Sequence, residues 1–198
     1  SAFEIQYPIL TLSIPPIHAH NPTIAVGEQL DSLVMRFVPP LNGVLVSHGQ
    51  SYFLVDEERT GSRARGSALI DGDGAFATSK VAVECCVWRP RVGMKLRGAI
   101  SLEAPSHVSV LVHETFNASI PSSHMGKEWH WVHRSEHDEE EVDGSGGVAG
   151  YWERKETGER LGSHVEFVVI GLTILANVGG GGGHTLALCG SLLDRPFS

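Results

Sequence analysis

Histidine is the residue most able to do chemistry in this chain, which carries 11 of them. His18 and His20 form an HxH beside Pro15-Pro16, and His124, His130, His133 and His137 gather around Trp129 and Trp131. A metal site needs three or four converging ligands. His130 and His133 are three apart on a strand-like run, so they face opposite sides and do not converge. The three cysteines include no CxxC, and adjacent Cys85 and Cys86 would point to opposite faces of a strand. Asp71-Gly72-Asp73-Gly74 lacks the later ligands of an EF-hand. GxSxG is absent, and the paired carboxylates crowd into one run, Glu136 to Asp143. Gly179 to Gly183 is followed by neither Lys-Ser/Thr nor a helix start, so it reads as a hairpin tip and not a phosphate loop. The residues therefore predict no catalytic centre, no metal and no cofactor.

One polar set is better ordered. In Lys95 to Leu102, residues Leu96, Gly98, Ile100 and Leu102 alternate with Lys95, Arg97, Ala99 and Ser101. In His107 to His113, residues Val108, Val110 and Val112 alternate with His107, Ser109, Leu111 and His113. A period of two places Lys95, Arg97, His107, Ser109 and His113 on the face opposite the apolar set. Phe116 lies just beyond. Cations for a phosphate backbone and an aromatic for base stacking make single-stranded RNA the candidate ligand. A solvated β surface is the plainer alternative, since two cations are few for a nucleic-acid groove.

These strands need a scaffold. Ala104-Pro105-Ser106 reads as the turn between them, and Gly98 as a bend or bulge in the first. Upstream, Phe3 to Ile14 predicts an edge strand. Asn21-Pro22 then starts a helix whose stripe is Val26, Leu30, Leu33, Val34 and Phe37, stopped by Pro39-Pro40. Leu41 to Ser47 and Ser51 to Asp56 predict a hairpin around His48-Gly49-Gln50. Lys80 to Trp88 predicts a long strand with Val81, Val83, Cys85 and Val87 on one face. Downstream, Glu128 to His133 predicts a third barrel strand, Gly150-Tyr151-Trp152 resumes the barrel, and Thr157-Gly158-Glu159 is a turn. His164 to Asn177 and Thr185 to Leu193 complete it. The acidic run before Gly144-Ser145-Gly146-Gly147 predicts an exposed, disordered insertion over 135–147.

The chain has 198 residues, room for one large or two small domains. It is 41% hydrophobic and 19% charged, the balance of a folded protein. No apolar run approaches the roughly 20 residues of a membrane span. The net charge of −8 argues against nucleic-acid binding through bulk charge. It begins on Ser1 instead of Met, as a piece of a longer protein would.

Val87-Trp88-Arg89-Pro90, Val92-Gly93, Ser106-His107, His113 and Phe116-Asn117-Ala118-Ser119-Ile120 together resemble the larger stalk subunit of RNA polymerase I. More distantly they are similar to the stalk subunits of RNA polymerases II and III and of archaeal polymerase. The resemblance implies an α+β architecture: a tip domain over 1–90 and an OB-fold barrel over 91–198. It also implies a non-catalytic role in ribosomal RNA synthesis, in the nucleus and nucleolus. By the same resemblance the chain pairs with the small stalk subunit, docks on the polymerase core, helps recruit the initiation factor and guides nascent RNA. A free-standing RNA-binding OB-fold protein, a histidine-lined barrel enzyme and the equivalent subunit of polymerase II or III are the competing readings.

Overall fold

The computed structural model describes residues 2–54, 68–70, 74–133, 150–176 and 184–197. The acidic insertion at 135–147, the glycine loop at 179–183, the charged stretch at 56–67 and Asp71 to Asp73 lie outside them. The chain divides into two units, Ser1–Arg89 with Ala176–Thr185, and Pro90–Leu175 with Leu186–Ser198.

The first unit is built on the long strand β6 (Ala77–Trp88). Its Val81, Val83, Cys85 and Val87 are all 1% exposed or less. The predicted opening strand is split by Tyr7-Pro8 into β1 (Phe3–Gln6) and β2 (Ile9–Ile14), both antiparallel to β6. Helix α1 (Pro22–Leu33) lays Val26 and Leu30 onto the core with Leu12, Leu45, Val81 and Val83. Asn21 is its N-cap and Pro22 its first residue, although the Asn21 side chain makes no capping hydrogen bond.

Two expectations fail here. The helix was predicted to run to Phe37, but it ends at Leu33. Met35 takes a left-handed φ of 61°, and its N–H bonds to the Leu45 carbonyl at 2.7 Å. Phe37 then enters β3 (Phe37–Val38) and pairs with Val44. Periodicity carried Phe37 into the helix, whereas pairing and the extended preference of the residue before proline draw this segment into the sheet. The expected hairpin at His48-Gly49-Gln50 is also absent. β4 (Gly43–Phe53) is one strand along β6, with register shifts between Leu45 and Ser47 and between His48 and Ser51. Bulges absorb the turn-like residues without reversing the chain. The brief β5 (Leu69–Ile70) pairs with the start of β6.

In the second unit, β7 (Lys95–Glu103), β8 (His107–Val112), β9 (Phe116–Pro121), β12 (His164–Ala176) and β13 (His184–Ser191) form a closed barrel in the order β12-β13-β9-β8-β7. Strand β13 runs parallel to β9, with Leu188 opposite Ala118. The interior holds Val108, Val110, Val112, Phe116, Ile120, Phe167 and Val169. Leu102, read as a core residue, is 42% exposed. The register slips between Ile100 and Leu102, so the alternation inverts there. Gly98 therefore does not mark the bulge. It is needed for space: a Cβ there would stand 2.5 Å from Val110 Cγ1 and 2.6 Å from the Leu111 carbonyl oxygen.

The run expected to be a third barrel strand lies elsewhere. Among the described residues β10 (Trp129–His133) and β11 (Gly150–Arg154) form a two-stranded ribbon, with one further bridge from Glu153 to Arg160. Trp152 anchors it. Its backbone N–H donates to Glu103 Oε2 at 2.8 Å, and its Nε1–H donates to the Ala104 carbonyl at 2.9 Å. Tryptophan fits this junction because it buries a large apolar area and still offers one donor.

Candidate nucleic-acid interface

Strand β7 turns Lys95 and Arg97 to solvent, as the alternation predicts. The pairing of β12 with β7 sets Glu166 directly opposite Arg97 and Val168 opposite Lys95. Residues opposite each other in a ladder share a face, so a carboxylate stands in the row of the cations. Two depressions flank that row. One, of about 320 Å³, is lined by Arg97, Ala99, Leu111, His113, Glu114 and His164. The other, of about 160 Å³, includes Lys95, Glu166, Ser191 and Asp194 in its lining. Glu114, Glu166 and Asp194 thus outnumber Lys95 and Arg97 there, and the local charge does not favour a polyanion.

The other three candidates separate. His113 was read as the last outward residue of the second strand. It lies instead in the turn after β8, at φ 51°, with Glu114 at φ 57°. The Thr115 hydroxyl donates to its carbonyl at 3.0 Å. His113 still reaches the depression that contains Arg97. His107 stands at the far end of β8, opposite Pro121, with its Nδ1 2.9 Å from Ser106 Oγ. Six residues of strand, about 20 Å, part it from His113. Phe116 is 8% exposed and pairs with Val112 on the interior side. It is a core residue and offers no ring face to a base.

The sequence reasoning missed Glu166, Glu114, Asp194 and His164. Glu166 carried a signal, since it alternates with Val165 and Phe167, but its position against Arg97 depends on strand register. The Nδ1 of His124 is 3.1 Å from Ser191 Oγ, and His137 lies outside the described residues. Among the described residues no three His, Cys, Asp or Glu side chains are grouped to hold a metal.

Aromatic and cationic side chains do meet on the ribbon. The Arg154 guanidinium lies 5.2 Å from the Trp129 ring centre, and that of Arg160 lies 4.0 Å from the Tyr151 ring. Trp131 meets Trp152 edge-on at 5.8 Å. These contacts hold Arg154 and Arg160 against the ribbon's aromatic rings. Each guanidinium occupies one face of its ring, leaving at most the other for a base.

The family model described as the RPA43 OB domain in RNA Pol I matches residues 90–193. A protein of Schizosaccharomyces pombe named DNA-directed RNA polymerase I subunit rpa43 is 32% identical over 165 residues, which is 82% of this chain and 84% of that protein. Proteins named RNA polymerase I subunit RPA43 from Dictyostelium discoideum (there qualified as probable) and Homo sapiens are each 26% identical, over 68% and 56% of this chain. The chain spans most of the first relative, but only 35% and 30% of the length of the other two.

Proposed function

The chain belongs to the RPA43 family, the larger stalk subunit of RNA polymerase I, and from that premise we propose that it serves the enzyme without catalysis of its own. The observation that carries this is the match over residues 90–193, which falls on the barrel. In this reading the tip domain spans 1–90 and the barrel 91–198. The chain pairs with the small stalk subunit, docks on the polymerase core and helps bring the initiation factor to the promoter. Membership of this polymerase supports a nuclear location, and a role in ribosomal RNA synthesis supports the nucleolus within it. The test is purification through a tag on the chain. Recovery of the large subunits of polymerase I supports the reading, and recovery of those of polymerase II or III would overturn it.

Contact with nascent RNA is the competing reading of this barrel face. It rests on Lys95 and Arg97, with His113 nearby, and no longer on Phe116. Each lost phosphate contact lowers the log–log salt slope of single-strand binding by roughly 0.7. Glu166, Glu114 and Asp194 around these cations favour protein contact over RNA. The expected result is that Lys95→Glu with Arg97→Glu leaves crosslinking of nascent RNA to the polymerase unchanged at two salt concentrations. A loss that grows as salt falls would restore the RNA role.

A further inference from the structure

Strands β1 and β2 form one outer edge of the first unit's sheet. They keep a single register on β6 across Tyr7-Pro8, from Phe3 opposite Trp88 to Ile14 opposite Ala77. Along an antiparallel strand the backbone groups point alternately to one neighbour and the other. The Ala2 carbonyl accepts from the Arg89 N–H at 2.6 Å, and the Pro8 carbonyl from the Val83 N–H at 3.1 Å. Even-numbered residues therefore bond to β6. The N–H and C=O groups of Ile5, Tyr7 and Ile9 point away from it, and among the described residues no strand pairs with them. Proline blunts an edge strand by withholding a donor from the solvent side. Pro8 does not, because its nitrogen faces β6. Charge does not blunt the edge either, since Ile5 to Ile17 holds no Asp, Glu, Lys or Arg. Ile5, Tyr7 and Ile9 are 57%, 69% and 62% exposed. Glu84, which the register sets opposite Tyr7, leans toward β4, its Oε1 3.6 Å from where a Gly49 Cβ would stand.

We propose, independently of the function proposed above, that this edge pairs with the same edge of a second copy of the chain, antiparallel, about a two-fold axis through Tyr7. The run Ile5-Gln6-Tyr7-Pro8-Ile9 selects that occupant, because its outward positions read Ile, Tyr, Ile in both directions. The axis sets Tyr7 against the other copy's Tyr7, and Ile5 against the other copy's Ile9. Every apolar side chain of the run then meets an apolar one. Each of these opposed pairs exchanges two backbone hydrogen bonds. Aromatic and β-branched residues are favoured cross-strand neighbours. A chain of net charge −8 resists self-association where its carboxylates meet, and this edge brings none together. The two Glu84 side chains stand three strand spacings apart, about 14 Å, beyond the Debye length of about 8 Å at physiological salt. The contact is isologous and consumes the edge of each copy, so assembly closes at two. About five residues a side, against the roughly 20–30 of a standard interface, make this a weak dimer, with a dissociation constant of micromolar order or above.

Sedimentation equilibrium of the purified chain from about 1 to 300 µM tests the pairing. The wild type should pass from monomer to dimer over this range. Tyr7→Lys and Tyr7→Glu should each raise the dissociation constant about tenfold or more, since like charges then face each other across the axis. The Tyr7 side chain is exposed, so both variants should melt as the wild type does. An equimolar mixture of the two variants should recover the dimer, because the axis opposes one substituted position to the other. Hydrogen exchange needs no variant. In the wild type the amides of Ile5, Tyr7 and Ile9 should gain protection as concentration rises, whereas those of Gln6 and Leu10, already bonded to β6, should not. A wild type that stays monomeric throughout, a dimer indifferent to both variants, a mixture that remains monomeric or an exchange pattern that ignores concentration would each overturn the proposal. Protection of the same amides only when another protein is added would assign the edge to a strand of that protein and refute pairing with a second copy.

Discussion

Replacing Gly98 by alanine tests the barrel's closest approach. An added Cβ meets Val110 Cγ1 at 2.5 Å and the Leu111 carbonyl oxygen at 2.6 Å. The side chain can rotate, but the carbonyl is held in the β7–β8 ladder and moves only with the strand. Overpacking of this kind costs about 1–3 kcal/mol. Lower entropy of the unfolded chain returns about 0.4–1 kcal/mol. The net loss is about 1–2 kcal/mol, or roughly 5–15 °C in melting temperature for a domain near a hundred residues. Gly171→Ala is the control, because its Cβ would sit 3.5 Å from Cys189 Cβ, at ordinary contact distance. It should melt at or slightly above the wild type. Calorimetry of the full chain decides the matter. If Gly98→Ala melts at or above Gly171→Ala, the strands are not as close as described and the account of the barrel wall fails.

Trp152→Phe keeps an aromatic ring but removes the donor to the Ala104 carbonyl, now 2.9 Å from Nε1. It should cost about 1–3 kcal/mol in urea unfolding. Burial raises the Cys85 and Cys189 thiols above the ordinary 9.0, so the folded chain holds their protons longer than the unfolded chain does. The sign follows from linkage: this stability is fully present below pH 9.0 and is lost as pH rises through the higher folded values. Chemical denaturation between pH 8 and 11 should show the fall, and Cys85→Ala with Cys189→Ala should flatten it. Replacing 135–147 with a short Gly-Ser link should leave the melting temperature nearly unchanged, since six like charges from Glu136 to Asp143 repel one another. A loss of many degrees would show that this segment packs.

Much of this protein could be read from local order. Alternation named Val81, Val83, Cys85 and Val87, and Val108, Val110 and Val112, as core, and all are buried. A period of two is a property of the strand itself, so a partner is not needed to see it. Asn21-Pro22 marked the start of α1, and the Phe116-Asn117-Ala118-Ser119-Ile120 run with its upstream tryptophan identified the family. What escaped depends on which segment each strand pairs with, and in what register. Helix periodicity includes Phe37, but pairing with Val44 claims it for the sheet. Trp129 and Trp131 have a strand pattern, yet nothing local distinguishes a barrel strand from a free ribbon. The slip after Ile100 turned Leu102 outward. Phe116 looked like a stacking platform until the β8–β9 register set it inside. Arg97 looked like a phosphate contact until the β12 register put Glu166 against it. Composition and spacing determined which residues could form each element and which face would be apolar. Only the tertiary structure decided which charges and rings meet, because strand register and chain reversal are set by contacts between segments, whether near like β8 and β9 or far like β7 and β12, and not by the period of one segment.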